Sequence, residues 1–378
     1  MKIVVIGDVG VLDEMVHIGD EAMFEEFVVQ ARGRGIRNIT GISANPGETA
    51  ARYGIDAIER IGFSGSRGDM IARMLAVLTD PAHPVAVAIR ESDGVVVTGG
   101  GNMSSLWPMH IFERATIAAM ADREGKPFVV TGQTIGPELT PDDAPLVAEL
   151  LGSARFVGLR EPASFALCTR LGLTNIVQTI DDASFLAVAP EPTEGYCLVT
   201  LANHVGDHDR DTVEPAIARM LDHVATTTGL EVVFSPHFGS LTTEKRGDSL
   251  MHERVASHMV ASSREIPATD AAASARLARR ASLVISSRYH PVVFAVSAGV
   301  PTIGIPVDDY TTVKLTGALG NFGQSGVVPA GALDEAAAVV DAVWGDREGV
   351  RERGLAASGD NRVRSDAWWD RVVGALLQ

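Results

Sequence analysis

The run Leu283-Val284-Ile285-Ser286-Ser287-Arg288-Tyr289-His290, continuing through Phe294-Ala295 to Gly299-Val300-Pro301, decides the fold. An apolar run of strand length ends in two hydroxyls, an arginine and a histidine, and a helix is expected to start there. This is the strand–turn–helix unit of a parallel α/β sheet. In open sheets of this kind, ligands sit at the carboxyl ends of the strands, where helix N-termini favour anions. The segment thus sets a fixed cation, Arg288, and a titratable imidazole, His290, where a small anionic substrate would be expected to bind.

The alternation extends outward in both directions. In the first half, strands are expected at 2–6, 38–43, 94–98, 127–131, 156–159 and 176–180, with helices at 20–32, 111–124, 141–151 and 162–171. Ala187-Val188-Ala189-Pro190-Glu191-Pro192-Thr193-Glu194 is polar and twice interrupted by proline, which reads as a linker. Beyond it come strand 196–201, helix 213–227, strand 231–235, helix 246–261, strand 283–286, helix 290–298 and strand 302–306. The tail, 365–378, carries Trp368, Trp369, Leu376 and Leu377 and is expected to be an amphipathic helix that needs a partner surface. The fold class is α/β: two Rossmann-like domains, 1–190 and 191–378, facing across a cleft in the GT-B manner, with the C-terminal helix packing back. That cleft is the default ligand site.

Composition narrows the function classes. A chain of 378 residues with 46% hydrophobic content and a mean hydropathy of +0.14 is globular and long enough for two domains. No apolar run approaches the roughly 18 residues of a membrane span. The start, Met1 to Gly7, reads as a first strand rather than a signal peptide, so a cytoplasmic protein is expected, the inner membrane face staying open as a peripheral location. A net charge of −16 argues against nucleic acid and against adsorption to an anionic membrane. Cys168 and Cys197 have no metal-ligand spacing and read as reduced packing residues, and no metal is expected. Of the 32 basic residues only Lys2, Lys126, Lys245 and Lys314 are lysines, so arginine counts carry little weight here.

Several strand ends carry chemistry-bearing residues. Gly99-Gly100-Gly101-Asn102 follows the 94–98 strand, where glycines permit positive φ, close backbone approach and an anion nest of amides. It has neither the lysine of a P-loop nor the Gly-x-Gly-x-x-Gly spacing of a dinucleotide site. In Gly132-Gln133-Thr134-Ile135-Gly136-Pro137 the glutamine amide suits a carboxylate or a sugar hydroxyl. Arg160 ends a strand beside a helix that begins at Pro162. Asp20 and Glu21 at the start of the first long helix read as capping acids. His237 closes a strand as a loop histidine with a ligand-facing alternative, and Lys314 reads on its own as a helix-surface lysine.

Taken in order, these segments resemble the polysaccharide pyruvyltransferase family, which transfers pyruvate from phosphoenolpyruvate onto sugars of bacterial cell-surface glycans. Ser287-Arg288-Tyr289-His290 with Phe294-Ala295 and Gly299-Val300-Pro301 is similar to its C-terminal signature. Gly19-Asp20-Glu21-Ala22, the triple glycine, Gln133 to Pro137, Arg160 to Ser164 and Asp181 to Phe185 are similar to its earlier motifs. The chain departs from the family at Glu161-Pro162, in place of an aspartate and the next residue. It departs again before Lys314, where the family's proline is missing; by spacing from His290 the family lysine falls near Tyr310, and Lys314 fits with four residues inserted.

The resemblance implies a pyruvate ketal built on a sugar with release of phosphate, with phosphoenolpyruvate as co-substrate and no cofactor. It implies His290, Arg160 and Lys314 (or Tyr310 in its place) as catalytic residues. Arg288, Ser287, Ser286, Arg160, Gln133, Gly100, Gly101 and Asn102 would bind the donor, and His17, Asp20, Glu21, Asp182 and His237 the acceptor. The acceptor sugar, its linkage to lipid, and the oligomeric state stay open. Two competitors stand beside this reading: a GT-B glycosyltransferase or epimerase using a nucleotide sugar, for which Asp308 or Asp309 would supply an acid to ribose, and a non-catalytic glycan-binding relative.

Overall fold

The structure is a computed structural model that describes residues 1–188, 193–242 and 244–377. Strand β1 spans Lys2–Ile6, β2 Met15–His17, β3 Asn38–Ser43, β4 Asp56–Glu59, β5 Gly94–Val97 and β6 Gly100–Met103. Next come β7 Phe128–Ile135, β8 Phe156–Leu159, β9 Ile176–Gln178, β10 Tyr196–Thr200 and β11 Glu231–Phe234. The last four are β12 Phe238–Ser240, β13 Ser263–Glu265, β14 Leu283–Ser286 and β15 Thr302–Gly304.

The chain divides into two compact units. Unit one comprises Met1–Leu12, Met23–Asp182 and Val363–Gln378; unit two comprises Asp13–Ala22 and Ala183–Arg362. Residues 13–22 and 363–378 therefore lie in the opposite unit from the one expected of domains 1–190 and 191–378, and the main division falls at 182/183. Part of the expected linker, 189–192, lies outside the described residues.

Unit one holds a parallel sheet in the order β4-β3-β1-β5-β7-β8-β9, with β6 paired alongside β7. Its central strands are buried along their whole length, as in β5 Gly94–Val97, because helices cover both faces of a parallel sheet. Unit two holds β13-β11-β10-β14-β15, also parallel, and a separate antiparallel pair, β2 with β12. Each parallel sheet reverses its strand order once, between β1 and β5 in unit one and between β10 and β14 in unit two. The loops at those two switch points are where an open α/β sheet binds ligands.

The C-terminal helix runs over Arg347–Leu376, much longer than the expected 365–378. Its upstream stretch is polar and broken by Gly349, Gly354 and Gly359, residues that read as loop; yet Gly354 is where that helix meets Gly299, and a Cβ would leave no room. In unit one its end packs as expected, with Trp368, Trp369, Val372 and Leu376 buried in one cluster with Ile3, Val5, Val96 and Val129. Gly158 and Gly94 admit it, since a side chain at either would collide with Trp368 or Leu376. Among the described residues no helix is long and apolar enough to cross a membrane.

Candidate active site

At the switch point of unit two, β14 ends in Ser286 and a helix, Tyr289–Val296, starts after Arg288. Pro291 in its first turn removes no hydrogen bond, because the first four amides of a helix have no intrahelical acceptor. Arg288 sits at the N-cap with its side chain one quarter exposed. Its Nε lies 3.0 and 3.1 Å from the two oxygens of Asp248, and its Nη2 donates to Asp248 Oδ1 at 2.6 Å. Asp248 is fully buried, and its Oδ2 also accepts the amides of His237 (3.1 Å) and Phe238 (2.9 Å). The other edge of the guanidinium, Nη1, has no hydrogen-bond partner among the described residues.

His290 is buried beside this cation. Tyr289 meets its ring edge-on at 5.1 Å, and Phe294 lies 6.0 Å from both His290 and His237. The remaining wall comes from the first loop of the chain. Gly19 packs so closely on His290 that a Cβ there would overlap Nδ1 of the imidazole. That loop is held by strand pairing, Phe238 opposite His17, and by the Ile18 amide donating to the His237 carbonyl at 2.9 Å. His17 in turn bonds Asp20 at 2.6 Å, and Glu21 is buried. His237 is buried too; desolvation first, then its neighbours His290, Arg288 and His17, hold its imidazole well below the usual histidine range, so it is neutral.

Lys314 and Tyr310 are found together. Lys314 Nζ bonds Tyr310 Oη at 3.0 Å and lies over the rings of Tyr310 (4.5 Å) and Tyr289 (4.8 Å). The helix Asp309–Gly320 puts the two residues one turn apart, so the lysine reaches Tyr289, the neighbour of His290. Asp308 caps this helix, its Oδ1 taking the Thr311 amide at 2.7 Å.

In unit one, Arg160 is completely buried and surrounded by acceptors. Its Nε bonds Thr134 (2.8 Å) and Glu161 (2.9 Å), and its Nη1 bonds Asp181 (2.6 Å). Asp182 sits between two strand ends, accepting from Thr131 Oγ1 (2.5 Å) and the Gly99 amide (3.1 Å). Burial pushes its carboxyl up to about 7, the Asp181 charge adding to the rise against those hydrogen bonds. Side chains at Gly99 or Gly132 would strike that carboxyl. Gln133 is buried and donates from Nε2 to the Thr98 carbonyl (2.5 Å), while its Oε1 has no hydrogen-bond partner among the described residues; the same is true of Asn102 Oδ1.

A family model described as polysaccharide pyruvyl transferase matches residues 17–309, more than three quarters of the chain. The chain belongs to that family. No curated protein sequence matches it. Solved structures similar to this pyruvyl transferase family member include UDP-GlcNAc 2-epimerase from Neisseria meningitidis bound to UDP-GlcNAc, at 9% identity over 100% of both chains, TM-score 0.63. UDP-GlcNAc 2-epimerase from Methanocaldococcus jannaschii is 13% identical over 91% of this chain and 93% of its own, TM-score 0.59. CalG4, the calicheamicin glycosyltransferase, is 14% identical over 100% and 98%, TM-score 0.56. At such identities the likeness establishes the fold, which is of the GT-B type.

The family motifs thus fall into two sets, one in each unit. Unit two brings together His290, Arg288, Lys314, His17, Asp20, Glu21 and His237; unit one holds Gln133, Gly100, Gly101, Asn102, Arg160 and Asp182. Three expectations need correction. Arg160 does not present its cation for a donor: Glu161 and Asp181 surround it, and Glu161 is the residue at which the chain departs from its family. The triple glycine is no amide nest; Gly100–Met103 is strand β6, paired with β7, none of its glycines has positive φ, and what it needs is the close approach of Gln133 and Asp182. Ser286 Oγ is bound to backbone, accepting the Arg288 amide at 3.0 Å within reach of the Thr200 carbonyl, whereas Ser287 Oγ accepts from Ala202 and keeps its proton to donate.

Sequence reasoning missed Asp248, Tyr289 and the network around Asp8. Gly247-Asp248 at a helix start reads as ordinary capping, and nothing local says that the carboxylate faces an arginine 40 residues on. Asp8, at the carboxyl end of β1, contacts Arg114 (2.9 Å), His110 (3.3 Å) and Arg60 (3.8 Å). Burial works against its charge, but Arg114, the hydrogen bond with His110 and Arg60 hold its carboxyl far below the ordinary range, so it stays ionised.

Proposed function

We propose that the protein transfers a pyruvyl group from phosphoenolpyruvate to a sugar of a cell-surface polysaccharide or its precursor, forming a ketal and releasing phosphate. The single observation that carries the donor assignment is the half-satisfied guanidinium of Arg288 beside the buried imidazole of His290 at the unit-two switch point. A planar fork with one edge available suits the carboxylate or phosphate of phosphoenolpyruvate.

In this reading His290 delivers a proton to the methylene carbon, which becomes the methyl group. A sugar hydroxyl attacks the adjacent carbon, a second hydroxyl replaces the departing phosphate, and the two hydroxyl protons pass to base. Proton transfer by a positioned imidazole contributes about 100- to 10,000-fold. Lys314, steadied by Tyr310 and Tyr289, stabilises the leaving phosphate. The reaction needs no cofactor.

The nucleotide-sugar reading draws its weight from neighbours whose structures hold UDP-GlcNAc. Against it, Asp308, one of the two acids offered for a ribose, is taken up as a helix cap, which leaves Asp309 for that role. Calorimetric titration separates the two. Saturable binding of phosphoenolpyruvate, lost in Arg288→Ala, is expected; UDP binding with no phosphoenolpyruvate signal would transfer the assignment to a glycosyltransferase. His290→Ala is expected to abolish turnover while leaving donor binding measurable, and an active variant would remove His290 from the role.

A further inference from the structure

We propose that Asp248 is the positioning residue of the anion site: it clamps the Nε/Nη2 edge of Arg288, leaves the Nη1 edge for a ligand oxyanion, and ties that cation to the backbone of His237 and Phe238. The inference rests on the donor assignment above and adds to it a residue that does not itself touch the donor.

The geometry is specific. Four N–H groups converge on one carboxylate that is entirely buried: Nε and Nη2 of Arg288 and the amides of His237 and Phe238. They match the roughly four lone-pair positions of an ionised carboxylate. A buried charge persists only when paired and hydrogen-bonded in this way. Asp248 also opens the helix Asp248–His258, whose N-terminal dipole favours the negative charge. The preceding Gly247 has φ of +62° and lies so close to the Phe238 carbonyl that a Cβ would overlap it, which locks the turn carrying Asp248 against β12.

Through β12 the effect spreads. Phe238 lies opposite His17, and His237 holds the start of the helix that places Gly19 on His290. One buried carboxylate therefore sets both the direction of the guanidinium and the backbone that walls in the imidazole. The arginine does not have to be ordered when ligand arrives, and ordering such a flexible side chain is a principal cost of binding.

Two roles for Asp248 predict opposite signs. If it merely neutralised Arg288, Asp248→Asn would strengthen phosphoenolpyruvate binding by unmasking positive charge. If it positions Arg288, the asparagine loses the charged fork and turns an NH2 donor toward donors, and the dissociation constant rises, by about 10- to 100-fold. Calorimetry on the full-length protein reads this directly, with Arg288→Lys and the double variant completing a cycle. Expected is a large loss in Asp248→Asn alone and little further loss in the Arg288→Lys background, a coupling that general destabilisation would not produce. Unchanged or tighter binding in Asp248→Asn, or additive losses, overturns the proposal. Absence of phosphoenolpyruvate binding by the wild type instead overturns the donor assignment itself.

A measurement on the wild type covers a variant that fails to fold. The Arg288 Nε–H resonance, assigned by its loss in Arg288→Lys, is expected to be slow to exchange and unmoved when phosphoenolpyruvate saturates the protein. A shift or rapid exchange of that proton on saturation, showing that ligand displaces Asp248, sinks the idea.

Discussion

Arg160 and Arg288 occupy equivalent places in the chain's grammar, each ending a buried strand just before a helix, and the two units use them in opposite ways. Around Arg160, Glu161 and Asp181 supply two carboxylates to one guanidinium, and the side chain has no exposure at all. Around Arg288 there is one carboxylate, on one edge, and a quarter of the side chain stays exposed. The first arrangement is buried, with acceptors on two of its guanidinium nitrogens. The second is open on one side and holds its cation in place. The same place in the chain thus yields a wholly buried cation in one unit and a partly exposed one in the other, according to the carboxylates around it.

The comparison is sharpened first by removing the closed cation. Arg160→Met leaves two buried carboxylates without a counter-charge and is expected to lower stability by about 3–5 kcal/mol, read as a fall in the thermal midpoint. Phosphoenolpyruvate affinity in the folded fraction should change little; a loss there of the size seen in Arg288 variants would return Arg160 to the donor site.

Next is the proton held in the same closed region. Asp182 titrates near 7 in the fold and near 4 in an unfolded chain, so between those values only the folded state binds the proton. Stability from this group is therefore full below about pH 4 and is lost as pH rises through 7. Between pH 5 and pH 8 the wild type is expected to lose roughly 2–3 kcal/mol more than Asp182→Asn, measured by denaturant unfolding at both pH values. Parallel pH dependences for the two proteins would place an ionised carboxylate in that site.

At the open site, Arg288→Lys keeps the charge and discards the fork. The expected cost is about 10- to 100-fold in phosphoenolpyruvate affinity, near 1.4–2.7 kcal/mol, with a smaller fall in melting temperature than Arg160→Met. The smallest effect is expected at Gly19. A methyl group there must displace His290, so Gly19→Ala should lower turnover about tenfold with donor binding retained, once an acceptor is in hand. Unchanged turnover would mean that the imidazole can move without consequence.

Much of this architecture is legible from residues alone. Buried parallel strands read as apolar runs of strand length, and β1, β3, β8 and β14 fall on the runs expected at 2–6, 38–43, 156–159 and 283–286. Between 44 and 93 the reading found nothing, yet three helices and β4 lie there; their start signals, Asn45 before Pro46 and the Ser66/Asp69 capping box, are local and were passed over. The candidate residues His290, Arg288 and Lys314 were visible because glycines, hydroxyls and charges at strand ends are unusual in an apolar chain. Asp248 was not, because an acid at a helix start has an adequate local explanation.

What the chain's own order determined is the inventory: two parallel sheets, the strand-end residues, and a family membership written between residues 17 and 309. What only the tertiary structure decided is which charges face one another. Residues 13–22 belong with unit two because β2 pairs with β12 more than 200 residues away. Arg160 meets the carboxylate of its chain neighbour Glu161 and that of Asp181, 21 residues on, whereas Arg288 meets only Asp248, 40 residues before it. Periodicity is a local property and survives in a one-dimensional string; the energy of a buried charge depends on all its neighbours at once, and those are assigned only when the chain has folded.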